Sequence, residues 1–509
     1  MKIFCPNCGI ETKLYSSCIS CKFPFVMDEP IAESQFLKQQ IPSSEYEILH
    51  EYEQFMGKSL KVVDKVNSNS SLYVSIENGH VSGLGVCSRK NKDFLLFLKI
   101  FFKLRYLKSL CLRGSNLNPF PDEINRLNHL EILILDRCNL NQFPESLVKI
   151  NSLKEFYAKQ NHFIFLPENF GDLGSLEVLN LELNKIEVLP DSFGTLKSLK
   201  ELNLRSNEIV NVPNWFGDLT SLKELNLGGN KLSSIPVSIG NLRFLKKLNL
   251  NSNQLENLPD SIGNLRSLEI LHLSHNKLKT IPKSIGSLEN LKELSIQNNQ
   301  LSTLPDSIGK LRSLELLELV SNQLVTLPDS VGDIETLKEL NLWRNKLTYL
   351  PDSIGNLKAL ELLQLEENNL KNLPASLLNI SSLKGVIWSK NPLSKNNSVL
   401  RNLAAKGVGL FPMVIKENER PFAEIDMSKA QIREFLVKLA GPDGCQYNGV
   451  ESRCGGKDYK YSREILEIMK VPGKEQDKFL KVCKELGGYC DCEILMNAAE
   501  DLLGEDTPW

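Results

Sequence analysis

The sequence predicts an α/β solenoid of stacked coils, each with a short strand on one face and a short helical return on the other. Two observations carry this. The phrase Leu-x-x-Leu-x-Leu-x-x-Asn-x-Leu-x-x-Leu-Pro returns every 23 residues, thirteen times, from the coil opened by Leu107 to the one opened by Leu383 and ending near residue 405. No insertion or deletion breaks the period over 299 residues, and chance does not preserve a repeat so strictly. Within a coil, leucines alternate at strand spacing: Leu202 and Leu204 flank Asn203, so the leucines point one way and the asparagine the other.

The rest of the phrase closes the coil. Eleven of the thirteen coils place Asn at the ninth residue (Asn161, Asn184, Asn207 and so on to Asn391), where a side-chain amide satisfies backbone groups as the chain turns. Ser115 and Cys138 stand there in the first two coils. A Leu-Pro step such as Leu258-Pro259, followed by Asp-Ser-Ile-Gly-x-Leu, returns the chain along the outer face, with Pro at a helix start. No single coil buries its own leucines, so stability comes from stacking neighbours.

These motifs resemble the leucine-rich repeat proteins, and the Leu-Pro-x-x-Ile-Gly-x-Leu form is similar to their cytoplasmic Ras-group branch. The resemblance covers about three fifths of the chain. It implies a horseshoe with a parallel β-sheet on its concave face and short helices on its convex face. It also implies a protein partner, with a small GTPase or another signalling protein as candidate classes, and fold alone names none of them.

Composition narrows the alternatives. A net charge of -2 and a pI near 6.4 give no electrostatic footprint for nucleic acid. The beginning of the chain, MKIFCPNC, lacks an apolar signal core, and FLLFLKIFF at 94–102 is interrupted by Lys99 and is far below the roughly 20 residues that span a bilayer. The expectation is a soluble, cytoplasmic protein with no membrane or nucleic-acid partner.

The twelve cysteines fall in three groups. Cys5, Cys8, Cys18 and Cys21 form C-x2-C-x9-C-x2-C, in which two tight turns each present two thiolates and together complete a tetrahedral zinc site. With so few apolar residues, residues 1–25 need such a staple, and they resemble a zinc ribbon. Cys87, Cys111 and Cys138 lie in or near the first coils and read as core or surface positions. At the far end, Cys490 and Cys492 fall at a predicted helix start that favours thiolates; Cys445 and Cys454 are candidates to complete a second site, with buried thiols the competing reading.

Flanking segments complete the layout. Residues 26–43 read as a linker and 44–106 as a cap, in which SEYEILHEYEQFMG forms a helix and an Asn78-Gly79 turn joins two strands. The cap covers the open edge of the first coil. After the coils of 107–405, residues 406–427 read as a linker and 428–509 as a helical domain. Its Gly-Gly-Tyr-Cys-Asp-Cys-Glu ending resembles an uncharacterised bacterial family, to which no activity is attached.

Two functions compete. Bacterial ubiquitin ligases join leucine-rich repeats to a Cys-x-Asp catalytic domain, which would make the C-terminal cysteines catalytic and the repeats a substrate reader. Cys490-Asp491-Cys492 departs from that pattern, all six histidines precede it, and no Walker loop, nucleotide fingerprint or HExxH is present. The chain therefore reads as a non-enzymatic interaction scaffold.

Its binding surface is expected on the concave sheet. The middle coils present Asn180, Asn203, Asn226 and Asn249, a polar ladder with little anchoring power. In the tenth to twelfth coils Leu316, Val320, Trp343 and Leu362 take outward positions, ringed by Glu318, Glu339, Arg344, Glu366 and Glu367. A large aromatic within a charged rim is the anatomy of a hot spot. Ile132, Ile134 and Tyr157 are the fallback.

Overall fold

The computed structural model describes residues 37–411 apart from 57, 65–71, 87–93 and 395–396, together with two short strands near the N-terminus and residue 480. The chain divides into two compact units, 1–412 and 413–509. In the first unit, strands β1 (Ile3–Phe4) and β2 (Glu11–Thr12) pair antiparallel. Cys5, Cys8, Cys18, Cys21, Cys445, Cys454, Cys490 and Cys492 lie outside the described residues.

The coils form as their pattern requires. Each contributes one three-residue strand, from β6 (Ser109–Cys111) to β18 (Gly385–Ile387), and neighbouring strands pair parallel and in register, Leu202 against Leu225 and Asn203 against Asn226. The sheet is open. Its edges are β3 (Lys61–Val62) in the cap and β19 (Gly409–Phe411), which pairs with β18 and so carries the sheet into the stretch that the sequence reads as a linker. The fourth residue of each coil and the sixth of all but the last, such as Leu202 and Leu204, are buried in a single continuous core, against which the half-buried Trp388 of the last coil packs.

The ninth-residue asparagines stitch coil to coil. Asn207 accepts the Ile186 N–H at 3.0 Å and donates to the carbonyls of Leu181 at 2.9 Å and Leu204 at 3.0 Å. One amide thus satisfies three backbone groups in two coils, away from water, where each would otherwise cost free energy. Cys138 performs part of this task in the second coil: burial pushes its thiol well up, and the protonated Sγ donates to Leu112 O at 3.2 Å.

On the outer face the expected short helices are 3-10 turns of mostly five residues, such as Asp260–Asn264, entered through Pro259 at φ -70° and closed by Leu265 N–H to Ile262 O. Five residues are too few to nucleate an α-helix, whereas a 3-10 turn closes with one i to i+3 bond. Neighbouring turns pack so closely that a Cβ on Gly263 would lie 2.4 Å from Ser284 O. Aromatic rings replace aliphatic ones in the early coils, with Phe170 stacked on Phe193 at 5.3 Å.

The cap matches its predicted elements. Helix α1 (Ser43–Met56) buries Leu49 and Tyr52, and β4 (Tyr73–Glu77) and β5 (His80–Gly85) form a hairpin whose Asn78 and Gly79 both adopt positive φ. Glu45 of the helix accepts the Val81 N–H at 2.8 Å and meets His80 Nδ1 at 2.9 Å. The apolar stretch after it is helix α2 (Phe94–Phe101), which sets Phe101 edge-on to Tyr52 at 5.0 Å. At the other end helix α3 (Ser398–Ala405) is N-capped by Asn397, whose Oδ1 accepts from Val399 and Leu400.

Candidate partner-binding site on the concave sheet

Counting from the Leu that opens a coil, residues three, five and seven face away from the core. In the fifth coil these are Glu201, Asn203 and Arg205. The eighth residue of all thirteen coils has positive φ, yet only Gly114 and Gly229 are glycines; the others include Ser206, His275, Arg344 and Glu367. The strain is held by hydrogen bonds between coils, as when Arg344 N–H donates to Glu366 O at 3.0 Å.

The middle coils are more structured than a plain polar ladder. The side-chain oxygens of Asn180, Asn203, Asn226 and Asn249 accept the N–H two residues on, at 2.9–3.1 Å, which fixes each amide. They floor a shallow groove of about 390 Å³ whose walls include Tyr157, Val178, Glu201, Lys247 and Ile270. Lys247 pairs with Glu224 at 2.7 Å, and the Tyr157 hydroxyl donates to Glu155 at 2.9 Å. Burial, then the charges of Glu224 and Glu155, push the Glu201 carboxyl up. His272 meets Glu293 through Nε2 at 2.8 Å. This column of third residues went unremarked in the sequence, although Glu155, Glu201 and Glu224 recur in one register.

In the later coils the predicted residues do share the concave face, but the apolar patch is smaller than expected. Trp343 is 37% exposed, Leu316 and Leu362 are half-buried, and Val320 is only 6% exposed. Between Gln297 and Trp343 at the same register of the neighbouring coils, a valine is too short to emerge. The backbone N–H of Trp343 donates to Asn341 Oδ1 at 3.1 Å, and Arg344 lies 5.4 Å from its ring centroid. Arg344 in turn donates to Glu367 at 3.0 Å, and Lys390 reaches the same carboxylate at 2.6 Å. Burial works against the Glu367 charge, but hydrogen bonds from Lys390 and Trp343 and the charges of Lys390 and Arg344 outweigh it and hold the carboxyl below its ordinary range. Glu366 is the opposite case: burial, aided by the Glu367 charge, pushes it up, and its Oε2 is buried without a hydrogen-bond partner.

The fallback surface is partly covered, with Ile132 and Tyr157 half-buried. Ile134 is 1% exposed and packs with Cys111, while Val63 and Tyr73 of the cap lie against it alongside Ile132 and Tyr157. Among the described residues no cluster of His, Cys, Asp and Glu is arranged to hold a metal, and no helix is long and apolar enough to cross a membrane.

Residues 225–300 match a family model described as a leucine-rich repeat region, and 166–209, 197–242, 290–311 and 336–357 match further leucine-rich repeat models. The coils are leucine-rich repeats. Residues 450–497, which contain the Gly487–Glu493 motif, match a family described as a protein of unknown function (DUF2695). No curated protein matches the chain. Among solved structures, a leucine-rich repeat protein of Leptospira interrogans is 29% identical, covering 69% of this chain and 100% of its own, with a TM-score of 0.56. The complex of PEPR1 with AtPEP1 is 27% identical over 65% of this chain and 52% of that one, TM-score 0.51. A TDR receptor is 26% identical over 65% and 62%, TM-score 0.50. The repeats fit a role in protein–protein interaction.

Proposed function

We propose that the protein is an interaction scaffold that grips a protein partner on the concave face of its later repeats, with Trp343 as the anchor. The observation that carries this is a large aromatic, part-exposed beside the sheet, whose side chain is braced by Arg344 and Glu367 so that little side-chain entropy is lost on binding. Leu316 and Leu362 supply flanking apolar surface, and Glu318, Glu339, Glu366 and Arg344 a charged rim. PEPR1, which shares the repeat architecture, is itself seen in complex with AtPEP1. A small GTPase or other signalling protein is the partner class favoured by the Ras-group form of the repeats, in a cytoplasmic setting.

The N-terminal cysteines belong to the same proposal. The antiparallel pairing of β1 with β2, which flank Cys5 and Cys8 in the sequence, supports a zinc ribbon. Zinc at Cys5, Cys8, Cys18 and Cys21 would give this segment its fold. Cys445, Cys454, Cys490 and Cys492 are the candidate ligands of a second site. Alanine replacement of Trp343, read as partner affinity with the thermal melt as control, tests the concave site; truncation of such an anchor costs about 2 kcal/mol or more.

A further inference from the structure

A cleft between the end of the cap and the first coil is lined by Phe102, Lys103, Arg105, Asn125, Arg126, Asn128 and His129, with a volume of about 580 Å³. Lys103, Arg105 and Arg126 are exposed, no carboxylate lines the cleft, and none of the three takes part in an ion pair among the described residues. The nearest carboxylate, Glu123, is paired with Lys99 at 2.9 Å and also feels the charge of Arg126, while Glu45, Glu47 and Glu51 line an adjoining cleft that shares Lys103 and Arg105 with this one.

The repeat supplies an internal control. Nine coils further along, the same cleft recurs at the same register with the same volume of about 580 Å³, lined by Asp306, Gly309, Lys310, Arg312, Asp333, Glu335 and Thr336. Lys310 and Arg312 correspond to Lys103 and Arg105. Facing them, however, are Asp333 and Glu335 where the first cleft has Arg126 and Asn128, and Glu335 pairs with Lys358 at 3.4 Å. One backbone shape therefore has a lining of mixed charge in one place and a lining whose only charged side chains are cations in the other, so the charge is a property of these side chains and not of the coil.

We propose that the first cleft docks an acidic protein segment, its carboxylates taken by Arg105 and Arg126, with Lys103 and the Asn125 and Asn128 amides completing the contacts. Guanidinium groups match carboxylates bidentately, and a cleft whose charged lining is cationic draws such a chain. Nucleic acid fits less well. Tyr106, the exposed aromatic beside the cleft, already stacks on His80 at 3.9 Å, and Phe102 in the cleft wall is buried. This surface is distinct from the concave site.

The test measures binding of a short labelled poly-glutamate peptide to the full chain by fluorescence anisotropy. Arg126→Asp with Asn128→Glu, which imports the residues of the mixed-charge cleft, should weaken binding roughly tenfold or more. The reverse exchange, Asp306→Lys with Asp333→Arg and Glu335→Asn, should raise the stoichiometry by one site. All these positions are solvent-exposed, so an unchanged thermal melt certifies the fold. Trp343→Ala should leave peptide affinity untouched, which separates this site from the concave one. Unchanged affinity in the first variant, or no added site in the second, overturns the proposal. Tighter binding of a single-stranded RNA of equal charge also overturns it in favour of nucleic acid.

Discussion

At the residue scale, the ninth-position asparagines are the most demanding feature of the chain. Asn253 accepts the Leu232 N–H at 3.0 Å and donates to Leu227 O at 2.9 Å and Leu250 O at 3.1 Å, all buried. Asn253→Ala leaves those groups without partners and should cost on the order of 3 kcal/mol in chemical denaturation. Glu366 makes a pH-dependent prediction. Its folded carboxyl is raised, mainly by burial, so its favourable contribution is present below the ordinary glutamate range and is lost as pH rises through the raised value. Glu366→Gln should therefore raise the denaturation midpoint at neutral pH, and the advantage should vanish below about pH 4; an equal gain at both pH values would contradict the assignment.

At the scale of the element, the outer turns depend on glycine for space. Gly263→Ala should destabilise by about 2 kcal/mol because its Cβ would meet the Ser284 carbonyl oxygen at 2.4 Å, whereas Gly174→Ala, with nothing within 4 Å, should be neutral. Paired thermal melts decide this. The strands and the asparagine stitching were legible in the sequence because alternation and period act within one coil. Three features were not. The 3-10 form of the turns follows from their shortness, which a residue pattern shared with α-helix starts does not disclose. Positive φ at every eighth residue is imposed by bonds between coils, so Arg344 and Glu367 occupy it with no glycine signal. Val320 reads as exposed by position and is buried by the size of its neighbours. For the N-terminal hairpin, chelation should unfold residues 1–25 and leave the melt of the coils unchanged, and metal analysis of reduced protein should give stoichiometric zinc.

For the whole molecule, the repeat makes a uniform frame on which departures stand out. Charged ladders run along it: Glu269 is shared by Lys246 at 3.1 Å and Lys292 at 2.8 Å, whose hydrogen bonds hold its carboxyl at about 2, so this contribution is lost only as pH falls toward that value. Against such compensated charge, the braced indole of Trp343 is the departure on the concave face, and its site was readable in the sequence because every outward position could be numbered from the period. The direct test is affinity capture from the native host with the full chain and with Trp343→Ala, both shown to melt alike. The account predicts a protein held by the native chain and lost, or weakened by roughly thirtyfold or more, with the variant; capture of the same protein at equal affinity would contradict it.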